Sequence, residues 1–266
     1  MKRLFVAVPL VCSLIGCNSS SSDNLTERDT IVSAADGSAP PPPVTLSAKG
    51  DTPSTGKPAA PKGPAPDSRY KVVDEASAGM PEELVNALEH VKVAPPPAAM
   101  KAPDKARVRL LTSKGPITVE LNGKAAPLHV KSYLHLTKMG FFDGTVFHRF
   151  ADLMEGSPEG KPGRIIQGGD PLTKVAKLKD FFGQGGPGYQ IPREVNPLKH
   201  VKMVLAAARS SDPDSAGSQF YLTLEPVHFL DEGYTVFGKV VEGQANVLKL
   251  RQGDQLKKAV ILSGKK

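Results

Sequence analysis

Between about Ala106 and Ile261 the chain alternates short apolar runs with clusters of Gly, Pro and Asp. Residues 106–122, "ARVRLLTSKGPITVELN", repeat apolar positions two apart on both sides of a Ser-Lys-Gly-Pro stretch, which predicts two strands joined by a tight turn. Residues 126–142, "APLHVKSYLHLTKMGFF", place apolar residues at Leu128, Val130, Tyr133, Leu134 and Leu136 and predict a helix that Pro127 starts and Gly140 ends. "GTVFHRF", "GRIIQGGD", "KMVLAAARS", "SQFYLTL" and "YTVFGKVVEG" predict further strands. "QANVLKLRQ" predicts a second short helix and "KKAVILSG" a closing strand. The expected fold class is mainly β, and closing an antiparallel sheet into a barrel is the economical way to remove its edges.

Composition moves the start of this domain to about residue 105. Nine of the 25 prolines fall between Pro40 and Pro66, and Pro95, Pro96, Pro97 and Pro103 follow. A stretch this rich in Ser, Pro, Ala and Gly buries too little apolar surface to offset the entropy of ordering. Residues 17–104 are therefore expected to form a disordered tether, with a possible short helix over 81–91, where Leu84, Val85, Leu88 and Val91 recur at helical spacing after Pro81. The folded part, residues 105–266, is long enough to bury one sizeable core.

At the N-terminus, Lys2 and Arg3 precede an apolar run from Leu4 to Ile15, too short to span a bilayer but suited to a signal peptide over residues 1–16. It ends in "LIGC", which resembles a bacterial lipobox and implies lipidation of Cys17. Stable anchoring needs more than one acyl chain. The expected location is the cell envelope, with the membrane as a partner through Cys17. Asn18 after the cysteine points to the periplasmic face of the outer membrane in a diderm host. The only other cysteine, Cys12, leaves with the signal peptide, so a disulfide framework and thiolate metal sites are excluded from the folded part. The net charge of +7 is spread along the chain without a dense basic block, which argues against a nucleic-acid partner. His129 and His135 are six apart, off the i, i+4 spacing of two ligands on one helical face, so no metal site is expected.

Arg149 stands inside the apolar run "VFHRF", and a cation in such a strand needs either a partner or a task. "GFFDGTVFHRF", "IIQGGD", "GGPGYQIPREV", "AARSSDPDSAGSQFYLTL" and "HFLDEGYTVFGKVVEG" resemble, in order, the motifs of cyclophilin-type peptidyl-prolyl cis-trans isomerases, over about Arg107 to Ile261. The resemblance implies an eight-stranded antiparallel closed barrel capped by two helices, a site on its outer wall, no cofactor, and proline-containing segments of unfolded or exported proteins as partners. It implies Arg149 as the catalytic residue. Gln167, Gln219, Ala208 and Arg209 match positions that grip the peptide backbone. Tyr221, Phe229 and Leu230 occupy pocket positions for the proline ring, with Phe229 where many eukaryotic members have tryptophan; Tyr234 stands where the family has a histidine and Ile165 where it has a methionine, both still able to line the pocket, and His148 matches the family histidine beside the arginine.

The chain departs from the pattern further in two inserted stretches. Residues 151–164, "ADLMEGSPEGKPGR", form a link about ten residues longer than usual, and Arg164 occupies a position where the family has a pocket phenylalanine. Leu153 or Met154 is the expected replacement for that wall. A second insertion, "LTKVAKLKDFF" at 172–182, is expected near the rim. The leading expectation is an isomerase assisting the folding of exported proteins. The alternatives are a non-catalytic peptide-binding module or holdase, favoured by Arg164, and a structural lipoprotein that borrows the fold.

Overall fold

The computed structural model of the chain describes residues 64–73, 80–153 and 163–263. The signal peptide, Cys17, most of the tether and Met154 lie outside the described residues. In chain order the regular elements are β1 (Lys71–Val72), α1 (Glu82–Val91), β2 (Lys105–Thr112), β3 (Gly115–Asn122), α2 (Pro127–Lys138), β4 (Thr145–Val146), β5 (Arg149–Leu153), β6 (Gly163–Gly168), β7 (Tyr189–Gln190), β8 (Val204–Ala207), β9 (Phe220–Thr223), β10 (Val236–Glu242), α3 (Gln244–Lys249) and β11 (Gln255–Leu262).

Nine strands make one antiparallel sheet in the order β4-β11-β2-β3-β10-β8-β9-β6-β5, and β1 pairs separately with β7. Of the eight-stranded closed barrel expected from the sequence, the described residues show this curled antiparallel sheet of nine strands, in which no ladder joins the edge strands β4 and β5. Those edges are nevertheless two stretches of one run, parted only by Phe147 and His148. Up to Phe147 the run bonds to the β11 side, through Phe147 N–H to Asp254 O at 2.8 Å and Gly253 N–H to Phe147 O at 2.9 Å. From Arg149 it pairs with β6. This change of partner bends the sheet until its two edges meet through the chain.

The concave side holds the main core, in which Val108, Leu110, Ile117, Val119, Ile166, Leu205, Phe220 and Leu222 meet Val130, Tyr133 and Leu134 of α2. Each such side chain contributes about 1.5–3 kcal/mol on leaving water. β8 is buried at every position because its alternate residues face different clusters: Leu205 and Ala207 the main core, Val204 and Ala206 a second cluster outside the sheet. That is why its sequence reads as continuously apolar rather than alternating.

Within the stretch read as tether, residues 64–73 and 80–104 lie against α2 and β7. α1 forms over Glu82–Val91 and buries Leu84 and Leu88 against Leu172 and Leu178 of the 172–182 insertion. Leu172 and Leu178 of that insertion thus face α1, while Lys174, Lys177 and Lys179 are exposed. The covering segment also explains why α2 is buried nearly all round, including Lys131, whose Nζ lies 2.7 Å from the buried Asp67 carboxylate. α2 has no side-chain cap of its own. The Glu194 carboxylate accepts from the backbone N–H groups of Leu128 and His129 at 2.9 and 3.0 Å, at the end where the helix dipole favours an anion.

Candidate active site

Cross-strand register assembles the site. β5 and β6 put Arg149 opposite Gln167, and β6 and β9 put Gln167 opposite Tyr221. Arg149 is exposed; its Nη1 donates to Gln167 Oε1 at 3.2 Å, and no carboxylate among the described residues forms an ion pair with it. Gln167 Nε2 donates to Gln219 Oε1 at 3.0 Å. Gln219 Nε2 spends its two donors on Gly183 O and Gly185 O, both at 2.8 Å. The guanidinium is therefore the outer end of a relay whose inner end is a pair of backbone carbonyls.

Those carbonyls belong to the loop 183–188, fixed from beneath by the fully buried Asp170, whose carboxylate accepts from Leu172 N–H at 2.8 Å and from Gly183 N–H. Position 185 must be glycine, since a Cβ there would collide with the Asp170 carboxylate. Burial raises the Asp170 carboxyl above its ordinary range, opposed by the N–H groups of Gly183 and Leu172. Half-buried His148 adjoins this loop, and neither of its ring nitrogens has a partner within hydrogen-bond distance and angle among the described residues. Burial pushes its imidazole down, against the pull of Asp170.

A cavity of about 370 Å³ opens beside the relay, lined by Gln167, Gly185, Ala208, Arg209 and Gln219 among others. Ala208 N–H donates to Gln219 O at 3.0 Å, placing β8's end next to the relay. Arg209 does not reach into this space as a free donor. Its guanidinium donates to Gly233 O at 3.0 and 3.1 Å and to Ser210 O at 2.8 Å, and stacks 4.2 Å over the Tyr234 ring.

On the same outer wall lies the second apolar cluster. Ile165 and Tyr221, 4% and 2% exposed, form its floor with Val204, Ala206, Val227 and Val236. Half-buried Ala151, Leu153, Ala208, Leu230 and Tyr234 form the accessible rim. Leu153 therefore supplies wall, while Arg164 is removed from it: the alternation of β6 turns Arg164 to the face opposite Ile165, where its Nε pairs with Asp152 Oδ1 across the ladder at 2.8 Å. Phe229, on the 3-10 turn His228–Leu230, is 45% exposed and stands apart from the cluster.

Two partners behind Tyr221 escaped the sequence reading. The Tyr221 hydroxyl lies 2.9 Å from His200 Nε2, and His200 Nδ1 lies 2.9 Å from Asp231 Oδ1. A carboxylate accepts only, so Nδ1 carries the proton, Nε2 accepts, and Tyr221 donates. His200 is wholly buried and burial lowers its imidazole, while Tyr221 is raised well above a free phenol, also by burial. Gly183 and Gly185 were missed as well; the glycine-dense "GQGGPG" at 183–188 was the available signal for a loop whose backbone approaches other groups closely.

A curled antiparallel sheet with an exposed arginine, two glutamines in series behind it and an apolar wall beside them defines the cyclophilin class. The family model "Cyclophilin type peptidyl-prolyl cis-trans isomerase/CLD" matches residues 107–264, and the chain belongs to that family. It is 36% identical over 156 residues to the peptidyl-prolyl cis-trans isomerase of Helicobacter pylori, covering 57% of this chain and 84% of that protein. It is 35% identical over 160 residues to peptidyl-prolyl cis-trans isomerase CYP57 of Arabidopsis thaliana, covering 59% of this chain but only 29% of that relative's length. Among solved structures, a cyclophilin-type isomerase of Cryptosporidium parvum aligns with a TM-score of 0.50 at 27% identity, over 60% of this chain and 99% of its own.

Proposed function

We propose that the chain is a peptidyl-prolyl cis-trans isomerase held at the cell envelope through Cys17, acting on proline-containing segments of exported proteins. An X–Pro bond rotates over a barrier of about 18–20 kcal/mol because amide resonance keeps it planar. Rotation makes and breaks no covalent bond, so the catalyst need only favour the twisted imide over both planar forms. Twisting localises a lone pair on the prolyl nitrogen. A guanidinium aimed at that nitrogen stabilises the twisted form alone, stays charged at any working pH, and needs no reorganisation as the bond turns.

The observation that carries this reading is the exposed Arg149, free of carboxylates among the described residues and oriented by Gln167. In this account the prolyl ring rests on the rim of the second cluster, while Gln167, Gln219 and the Ala208 backbone hold the flanking peptide. The pairing of Arg164 with Asp152 on the opposite face removes the reason for preferring a non-catalytic binder. A protease-coupled assay on a proline tetrapeptide tests the activity: the wild-type chain is expected to accelerate cleavage of the cis fraction above the uncatalysed rate, and no acceleration would favour a peptide-binding module. For the anchor, Cys17→Ser is expected to move the protein from the membrane to the soluble fraction.

A further inference from the structure

We infer that residues 64–73 and 80–104, which precede the family-matched region, are a brace that positions the catalytic arginine from a distance, an inference that rests on the isomerase reading above. The relay Arg149–Gln167–Gln219 ends on the carbonyls of Gly183 and Gly185. The same loop is gripped from its other side by this segment. Val73 N–H donates to Gly188 O at 3.1 Å and Val93 N–H to Pro187 O at 3.0 Å. β1 adds a strand to β7, pairing Lys71 with Gln190 and Val72 with Tyr189. Tyr70 packs edge-on to Tyr189 with ring centroids 5.4 Å apart, and its hydroxyl donates to Leu128 O at 2.8 Å. The segment is itself pinned to α2 by Asp67 on Lys131.

The chain of cause runs outward: α2 fixes the segment, the segment fixes loop 183–190, two loop carbonyls fix Gln219, and Gln219 fixes the guanidinium through Gln167. Only the first and second links are supplied by residues outside the matched region. Since a displacement of about 1 Å at a catalytic group can cost a hundredfold in rate, a brace on this loop acts on turnover as well as on folding.

The test uses the full chain with Val73→Pro, Val93→Pro, or both. Each substitution deletes one N–H to the loop and touches no member of the relay. Lys92 already has the extended backbone (φ −60°, ψ 136°) that a following proline requires. Two readouts are taken on variants shown to be folded by circular dichroism: kcat and KM on a proline tetrapeptide, and solvent exchange of the Gln219 side-chain amide protons by NMR. The brace predicts faster amide exchange in each single variant, and in the double variant a fall in kcat of about tenfold with KM within about twofold. Wild-type amide exchange and wild-type kcat in a folded double variant would overturn it, and if the double variant does not fold, the same two readouts on either single variant decide. Should the wild-type chain show no turnover, the isomerase reading fails by itself and the amide exchange still decides whether the segment positions Gln219.

Discussion

At the scale of single residues, Tyr221 shows how a pocket floor is held. Its ring belongs to the apolar wall, while its hydroxyl is committed to His200, which is committed to Asp231. Tyr221→Phe keeps the ring and leaves the buried His200 Nε2 without a donor, at a cost of about 1–3 kcal/mol. Denaturant unfolding is expected to record that loss, while KM for a proline peptide changes by less than about twofold; unchanged stability would mean that the hydroxyl is not the one His200 depends on. Arg149, Gln167 and Gln219 were legible in the sequence because each sits inside a local motif. His200, Asp231 and the carbonyls of Gly183 and Gly185 were not, because they reach the site only through contacts 21 to 36 residues distant, such as Tyr221 to His200 and Gln219 to Gly183. Arg164 misled for a related reason: its partner Asp152 lies opposite it across the ladder, and register is not written in composition.

At the scale of elements, the strands and α2 were legible from the period of their apolar residues, and the turns from Gly and Pro. The covering segment was not. Proline-rich composition reads as linker, yet Pro66 bridges Pro97 and Asp67 N–H donates to Pro96 O at 3.0 Å, so here prolines keep backbone extended for laying along a surface. Its central fastening is Asp67, bound by Lys131 at 2.7 Å and by Arg69 at 2.6 Å. These contacts, with the Arg69 bond largest, hold its carboxyl well below the usual carboxylate range. Removing one member of a buried pair strands the other's charge, so Asp67→Ala is expected to lower unfolding stability by about 3–5 kcal/mol. Asp67→Ala with Lys131→Met is expected to recover most of that loss in urea titrations; a double variant as unstable as the single one would show that the charge pairing is not what holds the segment.

At the scale of the whole molecule, buried and half-buried histidines set the response to acid. His135, His148 and His200 are each pushed below their ordinary value of 6.5, chiefly by burial. The native state therefore binds fewer protons than the unfolded chain as pH drops below that value, and stability present above pH 6.5 is lost as pH falls through the depressed values. Asp170, raised by burial, works in the opposite sense. With three groups against one, the melting temperature is expected to fall between pH 7 and pH 5; a melting temperature that is flat or rises over that interval would contradict the assignment of these imidazoles as neutral in the folded state. The curl of the sheet and the covering segment serve one end, holding a guanidinium in the open beside an apolar wall. The most direct measurement is exchange NMR of a proline tetrapeptide with the full chain, wild type and Arg149→Ala, below and at saturation. The account predicts that the catalysed cis-trans rate falls by two to three decades while the dissociation constant stays within about threefold. A variant that keeps more than about a tenth of the wild-type rate would show that the twisted imide is stabilised by something else.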